Sequence, residues 1–219
     1  MPSIEVIIAF TLASLLMNVS PGPSNLYVMA RTIAQGMRGG MVATAGLAVG
    51  SLLHVGATVL GLAALFAYSP MLYTAVKLAG AIYLLWLGYR YWRETPNFAR
   101  EADCPSRSAK SLWSIFGESV IVEATNPKTA LFFIAFLPQF VVPEAGPVAV
   151  QLLILGIIVT LSGVPCDLLV ALSSNRVAAW LTRNRQAQRV QQRVSGSILL
   201  GLGAWIIAEE VRSGVGSQG

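Results

Sequence analysis

The run Ser119-Val120-Ile121-Val122-Glu123-Ala124-Thr125-Asn126-Pro127-Lys128-Thr129-Ala130-Leu131-Phe132-Phe133 decides how the chain is read. It lies inside the apolar stretch Leu112 to Val141, which exceeds the roughly 20 residues a helix needs to cross a hydrocarbon core of about 30 Å. Within it Ser119, Glu123 and Asn126, at i, i+4 and i+7, share one helical face. A polar stripe on a lipid-bound helix faces the bundle interior, and Glu123, about ten residues past Trp113, falls near mid-depth at 1.5 Å per residue. An acid at that depth costs about 3 kcal/mol or more, so a functional role is the leading reading, as a proton-exchanging group or the partner of a substrate ammonium. The alternative is a permanently paired structural acid, held by Lys128 or by a basic residue on another span.

Outward from that run, Ile4 to Ala30, Gly40 to Tyr68, Met71 to Tyr91 and Val148 to Leu172 also have spanning length, and Val190 to Ala208 adds a sixth stretch with Arg193 intruding at its start. The 219 residues are 55% hydrophobic and 11% charged, with a mean hydropathy of +0.65, which is not the composition of a soluble domain. The net charge of +5 does not indicate nucleic acid, because the basic residues occupy short links between apolar runs and form no continuous stripe. Arg31 and Arg38 follow the first span, Arg90, Arg93, Arg100, Arg107 and Lys110 the third, and Arg176, Arg183, Arg185 and Arg189 precede the sixth. The links at Ser69-Pro70 and around Glu144 carry no basic residue, so both termini are expected outside and the basic loops in the cytoplasm. Tyr68, Tyr91, Trp92, Trp113 and Trp205 fit an interfacial aromatic belt.

The apolar start, Ile4 to Met17, follows Glu5 rather than a basic n-region and leads into Pro21-Gly22-Pro23, which reads as a break inside a span and not as a leader. Cys104 and Cys166 make neither a disulfide framework nor a metal site. Val177 to Arg193 reads first as a solvated basic loop and second as an interfacial amphipathic helix.

The two halves of the chain echo each other. Gly50-Ser51-Leu52-Leu53-His54 matches Gly163-Val164-Pro165-Cys166-Asp167, and Lys77-Leu78-Ala79-Gly80 matches Arg193-Val194-Ser195-Gly196. Ser20-Pro21-Gly22-Pro23 and Asn126-Pro127-Lys128 break the first and fourth spans. Three spans per copy turn the second copy upside down, so the expected fold is all-α and polytopic, about six transmembrane helices in two inverted three-helix repeats. The expected organisation is one transporter domain, with repeat one over about 1–95, a cytoplasmic loop over about 96–111 and repeat two over about 112–210.

Each proline frees the carbonyl four residues before it, at Met17 and Val19 for Pro21 and Pro23, and at Glu123 for Pro127. Freed carbonyls in hydrocarbon need a partner, so paired breaks at matching depth favour a polar cavity over a packing kink. The candidate substrate and ion pathway is therefore Asn18, Ser20, Pro21, Gly22, Pro23, His54, Glu123, Asn126, Pro127, Lys128 and Asp167. His54 suits either a proton relay or a hydrogen bond between helices, whereas Asp167, its repeat partner beside Pro165, is read as functional. Lys77 and Arg193 can snorkel to the headgroups. The spacing of Gly36, Gly40, Gly46 and Gly50 suits close helix packing within one chain or a homodimer.

Five segments together carry a family resemblance: Ser20-Pro21-Gly22-Pro23-Ser24-Asn25-Leu26, Ala34-Gln35-Gly36 with Arg38-Gly39-Gly40, Lys77 to Gly88, Asn126 to Phe133, and Phe136-Leu137-Pro138-Gln139-Phe140. On these the chain resembles the LysE/RhtB family of amino-acid exporters over nearly its whole length. The resemblance implies a multi-pass bacterial cytoplasmic-membrane protein that exports amino acids or related small metabolites on the ion gradient, with protons as the expected coupling partner and no prosthetic group. Two positions depart from the family pattern: Ser51, where many members carry an acid, and Glu123, where they carry a neutral amide. A membrane-embedded enzyme is the competing class, but neither H-E-x-x-H nor G-x-S-x-G occurs and His54 is the only histidine. A heavy-metal exporter of related architecture would be richer in Cys and His.

Overall fold

The computed structural model describes residues 4–19, 22–93, 110–183 and 185–216, and among these there is no strand. Helix α1 is Ile4–Val19, α2 Pro23–Tyr68, α3 Pro70–Arg93, α4 Leu112–Ala124 and α5 Pro127–Leu131. A π-helical turn, Phe132–Phe136, and two 3₁₀ turns, Leu137–Phe140 and Pro143–Ala145, lead to α6, Val148–Arg183, and α7, Arg185–Gly216. The expected loop over 96–111 lies outside the described residues up to Ala109.

Two sequence expectations are corrected. A basic loop was expected between the first and second spans, but α2 makes the turn at one residue, Gly36, with φ 72° and ψ −172°, a conformation that strains any other side chain. The arms fold back on each other, so that a Cβ on Gly39 would lie 2.8 Å from the Arg31 carbonyl and one on Gly40 would overlap Thr32. Arg31, placed by its charge among the headgroups, is instead fully buried. The second correction is Val177 to Arg193, whose described backbone is helical up to Arg183 and again from Arg185. Residues 174–193 contain neither Gly nor Pro and are rich in Arg, Gln and Ala, so propensity extends the helices where charge alone suggested a loop.

Among the described residues α2 and 148–173 are long and apolar enough to cross a bilayer, and α4 with the segment Pro127–Phe140, bent by 43°, makes a third crossing if counted as one. Ile7–Val19 and Gly196–Ala208 are shorter apolar helices. Leu60, Leu161, Leu169 and Leu172 stand outward and exposed, as they do when lipid is the solvent.

Helix α2 packs on α4 and α6, α3 on α7, and α1 on α6. The approach of α2 to α4 is close because Gly46 and Gly50 face it: a Cβ on Gly50 would come within 2.6 Å of Glu123 Cβ, and one on Gly46 within 2.6 Å of Ser119 Cβ. These glycines thus pack within the chain. The side chains of Ser119, Glu123 and Asn126 are all buried, as the stripe required.

Gln35 clamps the Gly36 turn to the start of α4, donating from Nε2 to the Lys110 carbonyl at 2.7 Å and accepting from the Lys110 amide at 3.2 Å. Trp92 Nε1 donates to Ser197 Oγ at 3.0 Å, joining the end of α3 to the N-terminal half of α7. Arg38, Arg90, Arg93, Lys110 and Arg193 therefore gather at one end of the bundle, called the basic end below. At the other end buried Gln151 holds the Val142 amide and carbonyl and the Gly146 carbonyl, at 2.8–3.0 Å.

Two apolar clusters divide the core. The larger contains Phe10, Phe132, Phe133, Phe136, Leu152 and Leu155, with Phe140 against it. The smaller, toward the basic end, is Val28, Ala43, Leu47, Ile115 and Ala171.

Candidate functional site

Between the two clusters lies a cavity of about 50 Å³. Met17 and Asn18 reach it from the end of α1, Ser24, Asn25, Leu47, Ala48 and Ser51 from the two arms of α2, and Glu123, Asn126, Lys128 and Thr129 from the second break. Val159, Thr160, Gly163, Val164 and Asp167 of α6 complete the lining. Such a volume takes a few water molecules.

The two helix breaks meet at this cavity. Ser24 Oγ, in the first turn of α2, donates a short hydrogen bond to Glu123 Oε2. Asn126 Nδ2 donates to Ser24 Oγ at 2.9 Å and to Glu123 Oε2 at 3.3 Å. Lys128 reaches back from α5, and its Nζ donates to the Met17 carbonyl at 3.1 Å. It passes Gly22, where a Cβ would lie 3.4 Å from Nζ. Its charge interacts with both Glu123 and Asp167.

Two of the carbonyls that the prolines were expected to free have partners. Met17 O receives Lys128, and Glu123 O receives His54 Nε2 at 2.9 Å and the Asn126 amide at 3.0 Å. A carbonyl only accepts, so His54 carries its proton on Nε2. Both asparagines bond a helix start and a carboxylate. Asn25 Oδ1 accepts from the Gly22 amide at 3.2 Å while its Nδ2 donates to Asp167 Oδ1 at 3.1 Å. Asn126 Oδ1 accepts from the Lys128 amide at 3.0 Å while its Nδ2 holds Glu123. Asn126 is thus the N-cap of its helix, Asn25 reaches back from the first turn of α2 to the amide of its N-cap, Gly22, and each also holds a carboxylate.

Of the residues singled out in the sequence, the structure brings Asn18, Glu123, Asn126, Lys128 and Asp167 to the cavity, with Gly22 against Lys128. Asn18 Nδ2 donates to Val159 O at 3.3 Å and Ser162 Oγ at 3.0 Å, tying α1 to α6. Pro23 and Pro127 are exposed at the helix starts and do not line it. His54 is also not in the lining; it stands behind the site, with its ring centroid 5.7 Å from that of Phe133. Ser20 and Pro21 lie outside the described residues, as does the side chain of Lys77.

Sequence reasoning missed Ser24, Asn25, Ser51, Thr129 and Thr160 as lining residues. Ser51 Oγ and Thr160 Oγ1 are 2.8 Å apart, a contact across 109 positions that no local pattern announces. Ser51 and Glu123 line the same cavity. Among the described residues no three His, Cys, Asp or Glu side chains converge as a metal site would require.

Residues 15–210 match the family pattern described as "LysE type translocator". A homoserine/homoserine lactone efflux protein of Salmonella typhimurium is 32% identical over 200 residues, covering 90% of this chain and 93% of the relative. A membrane protein of Bacillus subtilis is 30% identical over 206 residues, covering 90% and 96%. One of Vibrio cholerae is 29% identical over 203 residues, covering 91% and 95%. No solved structure matches.

Proposed function

The chain belongs to the LysE type translocator family, and we propose that it is a secondary transporter exporting an amino acid or close derivative of the homoserine class across the cytoplasmic membrane, coupled to protons. One observation carries this reading: two helix breaks enclose a single cavity that presents two carboxylates, Glu123 and Asp167, and one ammonium, Lys128. A zwitterion needs both signs. Its ammonium fits Asp167 and Glu123, and its carboxylate fits Lys128 and the starts of the helices after the breaks, where amides and dipole favour anions. With all three groups ionised the cavity carries one negative charge in excess, which a proton or a substrate ammonium neutralises.

The halves are inferred to be inverted copies around this site, giving about six passes. Support comes from the crossed bonding: His54 serves the break of the second half, and its counterpart Asp167 serves Asn25 beside the break of the first. Reporter fusions at Gly146 and the C-terminus should read external and one at Asp103 cytoplasmic.

The functional test is tolerance. Cells overproducing the chain should withstand higher external homoserine and hold a smaller internal pool, with cadmium tolerance unchanged. Protection from cadmium without protection from any amino acid would replace this reading with cation export.

A further inference from the structure

Among the described residues, the buried side-chain polar atoms that lack a hydrogen-bond partner belong to two residues: Nε and both terminal nitrogens of Arg31, and Oγ1 of Thr44. Arg31 is fully buried and Thr44 nearly so. An unpaired guanidinium inside a membrane protein is among the most costly groups a fold can hold, and it points to a ligand. The nearest compensation is the Tyr27 ring, 5.5 Å from the guanidinium carbon. The carboxylate of Glu118 is engaged elsewhere, by Lys110 Nζ at 2.6 Å, Ser114 Oγ at 3.1 Å and Tyr27 OH at 2.9 Å.

The position of the two residues supplies the second half of the argument. Ser24, Val28 and Arg31 lie on one face of the first arm of α2, and Thr44, Leu47 and Ser51 on one face of the second. The arms run antiparallel about Gly36, so residues pair by level. Ser24 and Ser51 both line the cavity, and Val28 and Leu47 both belong to the apolar cluster below it. Thr32 packs on Gly40 across the turn, which sets Thr44 level with Val28 and Arg31 about 4 Å nearer the basic end. The Arg31 guanidinium leans back over Tyr27, toward the level of Thr44.

We propose that Arg31 and Thr44 form a second subsite, beside Val28 on the basic side of the cavity, that takes the carboxylate of the substrate before it reaches the cavity. The proposal rests on the export reading above and deepens it. The planar fork of Arg31 suits a carboxylate bidentately, and Thr44 adds a hydroxyl donor. Arg31 is fully buried, so filling the subsite requires the two arms to move apart.

Homoserine and its lactone separate the two sites, since both keep the ammonium and only the open form has a carboxylate. Counterflow of each is measured in proteoliposomes of the full chain at mildly acidic pH, where the lactone ring stays closed. Arg31→Gln is expected to raise the KM for homoserine roughly tenfold or more while leaving that for the lactone within about twofold. Equal changes for both, or none, would overturn the subsite. Should Arg31→Gln not reach the membrane, Thr44→Val decides: a selective rise in the homoserine KM supports the subsite, and its absence overturns it. Should the wild type move neither compound, the homoserine reading fails and the subsite is tested alone, by thermal stabilisation of the wild type with amino acids against their carboxamides. Stabilisation by the acids only, lost in Arg31→Gln, supports it; no difference between acids and amides overturns it.

Discussion

The break after α1 and the break after α4 solve the same problem with different chemistry. Each leaves a carbonyl in the interior, and each restarts a helix whose first-turn or N-cap asparagine, Asn25 or Asn126, accepts from an amide of the helix start and holds a carboxylate. The first break draws its parts from afar: its acid, Asp167, comes from α6, and its carbonyl partner, Lys128, from α5. The second supplies its own acid, Glu123, three residues before Asn126, and borrows His54 and Ser24 from α2. The second break therefore depends less on how the other helices sit than the first. A change of conformation that moves α6 or α5 alters the first break directly and reaches the second through Ser24.

That contrast predicts unequal sensitivities. Lys128→Met removes the cation facing two acids and the donor to Met17, and should destabilise the protein by about 3 kcal/mol or more, read as a fall in Tm and in membrane yield. Survival of a fully stable, active Lys128→Met protein would break the claim that the first break depends on the second. Gly50→Ala forces a Cβ against Glu123 and Val120 and should cost about 1–3 kcal/mol by separating α2 from α4, with transport lost in proportion. Asn126→Ala removes a cap and a carboxylate donor together, and is expected to cost about 2 kcal/mol, with Asn25→Ala costing the same or less. His54→Phe should be mildest, about 1 kcal/mol, because the Asn126 amide still serves the Glu123 carbonyl. A His54→Phe protein that is stable but uncoupled from protons would instead place His54 in the relay.

The same contrast explains what could be read from the sequence. The second break was legible because its parts are local: Ser119, Glu123 and Asn126 repeat at helical spacing and Pro127 follows at once. Asp167 and Lys128 stood out as charges in apolar runs. Ser24 and Asn25 were hidden because polar residues after Pro-Gly-Pro read as an ordinary helix start, and the Ser51 to Thr160 contact exists only in three dimensions. Loop charge misplaced Arg31, since the positive-inside rule assigns an arginine to the headgroups unless the turn is known. That turn is made by Gly36 alone, five residues later, with no loop to hold Arg31 at the surface.

The central claim is that the cavity between the breaks moves substrate and protons through Glu123. Efflux of preloaded homoserine from proteoliposomes, with and without an imposed pH gradient, tests it in wild type, Glu123→Gln and Asp167→Asn. Glu123→Gln keeps the side-chain size and removes the charge, so the account predicts normal membrane yield, at least about tenfold slower efflux and no response to the gradient. Wild-type efflux with an undiminished response in Glu123→Gln would contradict it and leave Asp167 as the coupling acid.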